Sequence, residues 1–248
     1  MTPAILDVKD IHKSYGAIKA VDGVSFSVQQ GEIVGVIGPN GSGKTTLFNS
    51  ILGQIKPTSG RVEFVGEDIT GLSPLDLSRR GVGRTFQTLQ VFSQLSARDN
   101  LIVAAQEFKG SMRTRLFATS DAGLGARADE MIELFRLQQV AARPAGSLSY
   151  GQQKLVDIAM AFMASPRLVL LDEPCAGVNP SLVDELYDLL VTLNKAQGGS
   201  FVVIEHNMDF IMRLCPRVLC MVEGRVLAEG TPDEVRANAG VLEAYLGH

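Results

Sequence analysis

The sequence predicts an α/β fold built on a mostly parallel sheet, and three observations carry that reading. Glu32-Ile33-Val34-Gly35-Val36-Ile37 is an apolar run of strand character, followed by a Gly-rich segment and then by Thr46 to Leu52, a helical stretch closed by Gly53. Arg167 to Leu171 and Phe201 to Ile204 are continuous apolar runs of the kind that suits parallel strands buried on both faces. Both runs end in ionisable residues, Asp172-Glu173 and Glu205-His206, where open α/β sheets place their ligands.

The Gly-rich segment is Gly38-Pro39-Asn40-Gly41-Ser42-Gly43-Lys44-Thr45. It fits Gly-x-x-x-x-Gly-Lys-Ser/Thr, the phosphate-binding loop. Small side chains let backbone N–H groups turn inward around an anion. Lys44 adds a flexible positive charge for the outer phosphates of a nucleotide, and Thr45 offers a hydroxyl to Mg²⁺. The strand before it and the helix N-terminus after it complete an anion site.

The remaining elements follow in order. Residues 1–30 read as β, because Val24, Phe26 and Val28 alternate with Ser25 and Ser27. Tyr15 stands between two such stretches, either as a ring on which a base stacks or as an ordinary strand aromatic. After the turn cluster Lys56-Pro57-Thr58-Ser59-Gly60, Val62 and Phe64 alternate again. Residues 93–147 form a mostly helical insert, with one helix from Arg98 to Glu107 and another carrying Ala128, Met131, Ile132 and Phe135. Residues 108–125, with Gly110, Gly123 and Gly125, are expected to be a loop or a weak helix. Leu89, Val91, Phe92 and Leu95 form an apolar cluster that either seats a partner's amphipathic helix or packs inside the insert.

Ser149 and Gln152 have capping-box spacing at the start of a helix whose apolar face is Leu155, Ile158, Ala159 and Phe162. The same geometry reads either as a well-capped helix or, through Ser149, Gly151 and free N–H groups, as a second anion site. Asp172 is placed to hold Mg²⁺ directly or through water, and Glu173 to polarise an attacking water. Asn179-Pro180 opens a helix buried through Leu182, Leu186, Leu189 and Leu193. His206 is either a helix-start residue or a phosphate contact. Val218 to Glu229 reads as a hairpin around Glu223-Gly224, and Thr231-Pro232-Asp233-Glu234 opens a short terminal helix.

Composition narrows the setting. A chain of 248 residues holds one large or two small domains. Its formal charge of -4 gives no reason to expect nucleic acid. Three cysteines without metal-ligand spacing read as reduced cytosolic thiols. No signal peptide is visible, and no apolar run is long enough to span a bilayer.

Taken together, the phosphate loop, Gln87, Leu148-Ser149-Tyr150-Gly151-Gln152, the Asp172-Glu173 strand end and His206 resemble the motifs of ABC transporter ATPases, in the same order. The resemblance is greatest to the ATP-binding subunits of branched-chain amino acid importers, through Arg84-Thr85-Phe86-Gln87, Ala176-Gly177-Val178-Asn179-Pro180, Ile204-Glu205-His206 and Ala244-Tyr245-Leu246-Gly247. ATPases for urea or amide uptake and for lipopolysaccharide export share several of these features. Tyr150 and Asn179 depart from the general pattern but suit the importer subfamily. A non-transport ABC ATPase fits less well, since one phosphate loop and no sustained heptads are present. A P-loop kinase or GTPase leaves the signature helix unexplained.

The resemblance implies a single ABC ATPase domain over residues 1–248. It has a P-loop NTPase core with an N-terminal antiparallel β subdomain (residues 1–92 and 148–248) and a helical signature subdomain (about 93–163). ATP and Mg²⁺ are the implied cofactors. Tyr15 is expected to stack on adenine, and Gly38 to Thr46 to wrap the phosphates, Thr46 included. Thr45, Gln87 and Asp172 are expected at Mg²⁺, with Gln87 sensing the γ-phosphate. Glu173 is the expected general base, and His206 contacts the γ-phosphate. Ser149, Gly151 and Gln152 are expected to act on ATP held by a second ATPase subunit. The other implied partners are transmembrane permease subunits and, indirectly, a solute-binding protein. The implied location is the cytoplasmic face of the inner membrane.

Overall fold

The computed structural model describes residues 4–85, 89–105 and 122–246. Gln87, Glu107 and the Gly110 stretch lie outside the described residues. The chain opens with β1 (Ala4–Tyr15), β2 (Ile18–Gln29), β3 (Ile33–Ile37) and α1 (Lys44–Ile51), then β4 (Ser59–Phe64), β5 (Glu67–Asp68), α2 (Pro74–Arg80) and β6 (Val82–Arg84). Next come α3 (Ala97–Ala105), α4 (Ala122–Leu134), two 3₁₀ turns at Gln138–Val140 and Ala145–Ser147, and α5 (Tyr150–Phe162). The remainder is β7 (Leu168–Asp172), α6 (Pro180–Gln197), β8 (Ser200–Ile204), α7 (Met208–Leu214), β9 (Arg217–Val222), β10 (Arg225–Gly230), α8 (Pro232–Ala237) and α9 (Ala239–Leu246).

These strands form two sheets. One is antiparallel, in the order β2-β1-β4-β5; the other runs β10-β9-β3-β8-β7-β6. The second sheet is parallel from β9 to β6, and β10 closes its far edge as an antiparallel hairpin with β9. Every residue of β3, β7 and β8 is buried. Alternation along each strand divides these side chains between two cores. Val34, Val36, Leu168, Leu170, Val202 and Ile204 meet α1 and the antiparallel sheet. Ile33, Ile37, Val169, Leu171, Phe201 and Val203 meet the helices on the other face. An α/β sheet covered on both sides explains why the sequence shows unbroken apolar runs there rather than alternation.

The helical insert continues the second core rather than forming its own. Leu101, Ala128, Met131, Ile132 and Phe135 join one cluster with Leu155, Ile158 and Phe162 of α5 and with Phe201 of β8. Phe162 bridges the two parts, with its ring centroid 6.3 Å from Phe135 and 5.8 Å from Phe201. The glycines at 123 and 125 do not delay the helix as the sequence suggested, since α4 already runs from Ala122. Tertiary contacts outweigh their poor propensity: Arg98 donates to the Gly125 carbonyl and forks onto Asp129.

Caps are where the sequence places them. Ser149 and Gln152 make the reciprocal capping box of α5, and Thr231 and Glu234 that of α8. Asn179 caps α6 through the Leu182 N–H, with Pro180 in the first turn. Such caps are each worth ~1 kcal/mol and fix where a helix begins.

Candidate functional site

The phosphate loop leaves the carboxyl end of β3 and enters α1 through Gly43. Its conformation requires glycine at two positions above all. Gly38 has φ +149, and a Cβ there would sit 2.1 Å from the Met221 carbonyl oxygen. Gly43 has φ +97, and its Cβ would sit 2.1 Å from the Ala20 carbonyl oxygen. The backbone is pressed against β9 on one side and the β1–β2 hairpin on the other. The turn between β9 and β10 closes the brace: Gly224 N–H donates to the Ser42 carbonyl, and Asp22 N–H donates to the Gly224 carbonyl.

Lys44 lies inside this frame, 5% exposed. Its ammonium donates to the carbonyls of Gly38 at 2.7 Å and Pro39 at 2.9 Å, and approaches Ser42 Oγ at 3.4 Å. Burial lowers its proton affinity, while Glu173, Cys220 and Asp172 act in the opposite sense. Thr45 is exposed and Thr46 half-buried at the start of α1, whose first turn has no acidic residue. The uncapped N–H groups and the macrodipole there favour an anion.

The two expected carboxylates stand at the end of β7. Asp172 is buried, and its Oδ1 has no hydrogen-bond partner among the described residues. Its backbone N–H donates to Thr85 Oγ1. Burial and then Glu173 raise its carboxyl above the ordinary range, against the pull of Arg84, Lys154 and Lys44. An orphaned buried carboxylate oxygen beside a phosphate loop suits a hard cation. Among the described residues no group of three or more His, Cys, Asp or Glu could hold a metal alone.

Glu173 adopts φ +48, uncommon for a non-glycine residue, and its N–H donates to the Ile204 carbonyl of β8. The strained turn directs its carboxylate to His206, with Nε2 and Oε1 3.2 Å apart. What holds that turn was not legible in the sequence. Glu205 is buried, and its carboxylate accepts N–H bonds from Cys175, His206 and Asn207. One side chain thus ties the segment after Glu173 to the segment after β8. The only signal available in sequence was an acidic residue at the exit of a buried strand.

Tyr15 ends β1 on the hairpin that adjoins the loop through Ala20, is 52% exposed, and carries the Lys13 ammonium 5.0 Å from its ring centroid. A half-exposed aromatic leaves a face open for stacking. Ser149, Gly151 and Gln152 are elsewhere. Ser149 and Gln152 bond to each other, and a Cβ on Gly151 would sit 2.6 Å from Leu182 of α6. Neighbouring Tyr150 packs on Gly177 and reaches the Ala176 carbonyl. None of their hydrogen bonds goes to residues 38–46. The structure therefore gathers Lys44, Asp172, Glu173 and His206, with Tyr15 at the periphery, and places Ser149, Gly151 and Gln152 apart from them at the start of α5.

Another recess lies beside β6. It is lined by Leu77 of α2, Gly83 and Arg84, Gln90, and Asp157 and Met160 of α5. Of the apolar cluster beyond Gln87, Val91 packs against the helical core while Phe92 is 51% exposed.

Comparison with known proteins agrees with this geometry. Residues 21–176 match the ABC transporter family, and residues 225–248 match the family described as branched-chain amino acid ATP-binding cassette transporter. The high-affinity branched-chain amino acid transport ATP-binding protein BraF of Pseudomonas aeruginosa is 38% identical over 100% of this chain and 99% of its own length. A crystal structure of the ADP conformation of an ATP-binding cassette of an ABC transporter superposes with a TM-score of 0.89 at 36% identity, covering 100% of both chains. A dimeric post-hydrolysis cassette bound to ADP and phosphate gives 0.77 at 26% identity, covering 92% of this chain and 98% of that one. The match spans the whole chain and both sheets, and this protein belongs to the ABC transporter family.

Proposed function

We propose that this chain binds and hydrolyses ATP and thereby powers an importer for branched-chain amino acids. The observation that carries the chemistry is the convergence of Lys44, Asp172, Glu173 and His206 at the carboxyl ends of adjacent parallel strands. The solute class is supported by the name of the full-length relative and by the match over residues 225–248.

The residues divide the work. Tyr15 stacks on the adenine. Gly38 to Thr46 surround the phosphates, with Lys44 leaving its loop carbonyls for the outer phosphates. Thr45 and Asp172 hold Mg²⁺, with Gln87 as a further contact outside the described residues. Bound Mg²⁺ neutralises phosphate charge. Glu173 accepts a proton from the attacking water, and His206 orients that carboxylate and contacts the γ-phosphate. General-base catalysis of this kind contributes ~10²–10⁴-fold.

Ser149, Gly151 and Gln152 make their hydrogen bonds at the start of α5, and we assign them to ATP held by a second ATPase subunit. The dimeric relative supports that arrangement. ATP shared between two half-sites closes the pair, and loss of the γ-phosphate opens it. Among the described residues no helix is long and apolar enough to cross a membrane. The motion is passed to permease subunits at the cytoplasmic face of the inner membrane, with a solute-binding protein delivering the amino acid outside. The helical part, about residues 93–163, together with the recess at Gln90 and the exposed Phe92, supplies the docking surface.

The test is to purify the chain with its permease and assay ATPase activity and uptake. Phe92→Asp should leave folding and ATP affinity intact and weaken permease association, because the ring is half-exposed. Unchanged association and uptake would remove Phe92 from the docking surface. Absence of ATP hydrolysis in the assembled wild type would overturn the function itself.

A further inference from the structure

The face of α5 (Tyr150–Phe162) turned to the sheet carries two charges as well as its apolar side chains. Lys154 is fully buried, and its ammonium has no hydrogen-bond partner among the described residues. Asp157, three positions on, is 5% exposed. Its Oδ1 accepts the Gln90 backbone N–H at 3.0 Å, whereas its Oδ2 has no partner. Asp172 Oδ1, at the end of β7, is a further orphan. Buried charges without hydrogen bonds are costly, and native structures rarely keep them without a reason.

The three groups form one electrostatic set. The Lys154 charge stabilises both the Asp157 and the Asp172 carboxylates. Arg84 and Lys44 also act on Asp172, but Lys154 is the one cation acting on Asp157 among the described residues. Lys154 thus stands between an acid at the nucleotide site and an acid that anchors the loop at Gln90.

We propose that Lys154 is a positioning residue that reports the state of the Asp172 site to the backbone at Gln90. This rests on the reading of the site as one for Mg²⁺ and nucleotide. The Lys154 ammonium acts on both carboxylates and bonds to neither. A divalent cation at Asp172 cancels that carboxylate's attraction and repels the ammonium. Lys154 then swings to Asp157 Oδ2, its i,i+3 neighbour on the same helix. A carboxylate held at both oxygens is better fixed, and its bond to Gln90 N–H tightens. The signal leaves by the segment that borders the recess beside β6.

Amide hydrogen exchange at Gln90 reads this directly in the full chain, with Mg²⁺ and ADP against ADP with chelator. The wild type should exchange about tenfold more slowly with Mg²⁺ present, the size expected for strengthening one charge-assisted hydrogen bond. Lys154→Met should lose that difference while keeping its fold, since Met fills the space without a charge, and Lys154→Arg should restore most of it. Asp157→Asn, which retains an acceptor for Gln90 but no charge, should lose it too. Equal Mg²⁺-dependent protection in Lys154→Met would overturn the relay. So would a wild type in which Gln90 does not respond although calorimetry shows Mg²⁺ and ADP bound, whatever the variants do. Absence of nucleotide binding in that calorimetry would instead overturn the ATPase reading.

Discussion

Glu173 Oε1 and His206 Nε2 lie 3.2 Å apart at the exits of neighbouring parallel strands, β7 and β8. The contact is fixed from behind, because Glu173 N–H is bonded to the last carbonyl of β8 and Glu205 gathers the N–H groups of both following turns. A carboxylate so positioned can accept a proton without first being reoriented.

Glu173→Gln should therefore keep ATP binding and lower turnover by ~10²–10⁴-fold, since the amide keeps shape and polarity but cannot take a proton. Single-turnover hydrolysis and equilibrium ATP binding in the assembled complex separate the two effects. Lys44→Ala should fail at the binding step instead. A wild-type rate for Glu173→Gln would exclude it as the base.

Tyr15→Ala should weaken ATP binding by ~1–3 kcal/mol, by analogy with base–aromatic stacking in nucleic-acid complexes. Tyr15→Phe should be mild. The half-exposed ring makes a folding defect an unsuitable explanation, and the melting temperature checks this. Equal affinities for wild type and Tyr15→Ala would return Tyr15 to the role of a strand aromatic.

Gly41→Ala and Gly43→Ala should differ sharply. Both positions have positive φ, but a Cβ at Gly41 enters open space, whereas one at Gly43 meets the Ala20 carbonyl at 2.1 Å. The first should cost ~1–2 kcal/mol, the left-handed penalty alone. The second adds backbone displacement and should cost more, together with nucleotide affinity. Denaturant melts of the two variants decide the order.

The three cysteines should resist alkylation in the native protein. Each is buried, and burial raises every thiol; Cys220 is pushed up to about 11 despite the pull of Lys44. At pH 8 only ~0.1% of Cys220 is then the reactive thiolate. Iodoacetamide should label the thiols on unfolding, with mass spectrometry counting adducts before and after denaturant. Rapid native labelling of Cys220 would show that the strand opens locally.

Local patterns made most elements of the candidate site readable in the sequence. The phosphate loop, the capping boxes at Ser149 and Thr231, and the buried strands ending in Asp172 and Ile204 are each specified by neighbours along the chain. What stayed hidden depends on contacts between distant segments. Lys154 and Asp157 look like solvent-facing charges beside Leu155 and Ile158, and only the packing of α5 against the sheet buries them. Glu205 has no signature, because its function is to collect N–H groups from two turns. The early start of α4 is set by Arg98 reaching across from α3, which glycine counting does not register.

The brace around Ser42 also bears on when the protein becomes competent. The carbonyl of Ser42 is held by the N–H of Gly224, and the Gly38 backbone rests on β9 at Met221. A ribosome makes the loop long before the hairpin. During synthesis the glycine-rich segment has no walls, and its closure waits on contacts far along the chain, the kind that form slowly. A nascent chain is thus unable to engage ATP until that hairpin has emerged. Truncation before β9 should yield a chain that retains every residue of the phosphate loop yet has no pocket to hold a phosphate.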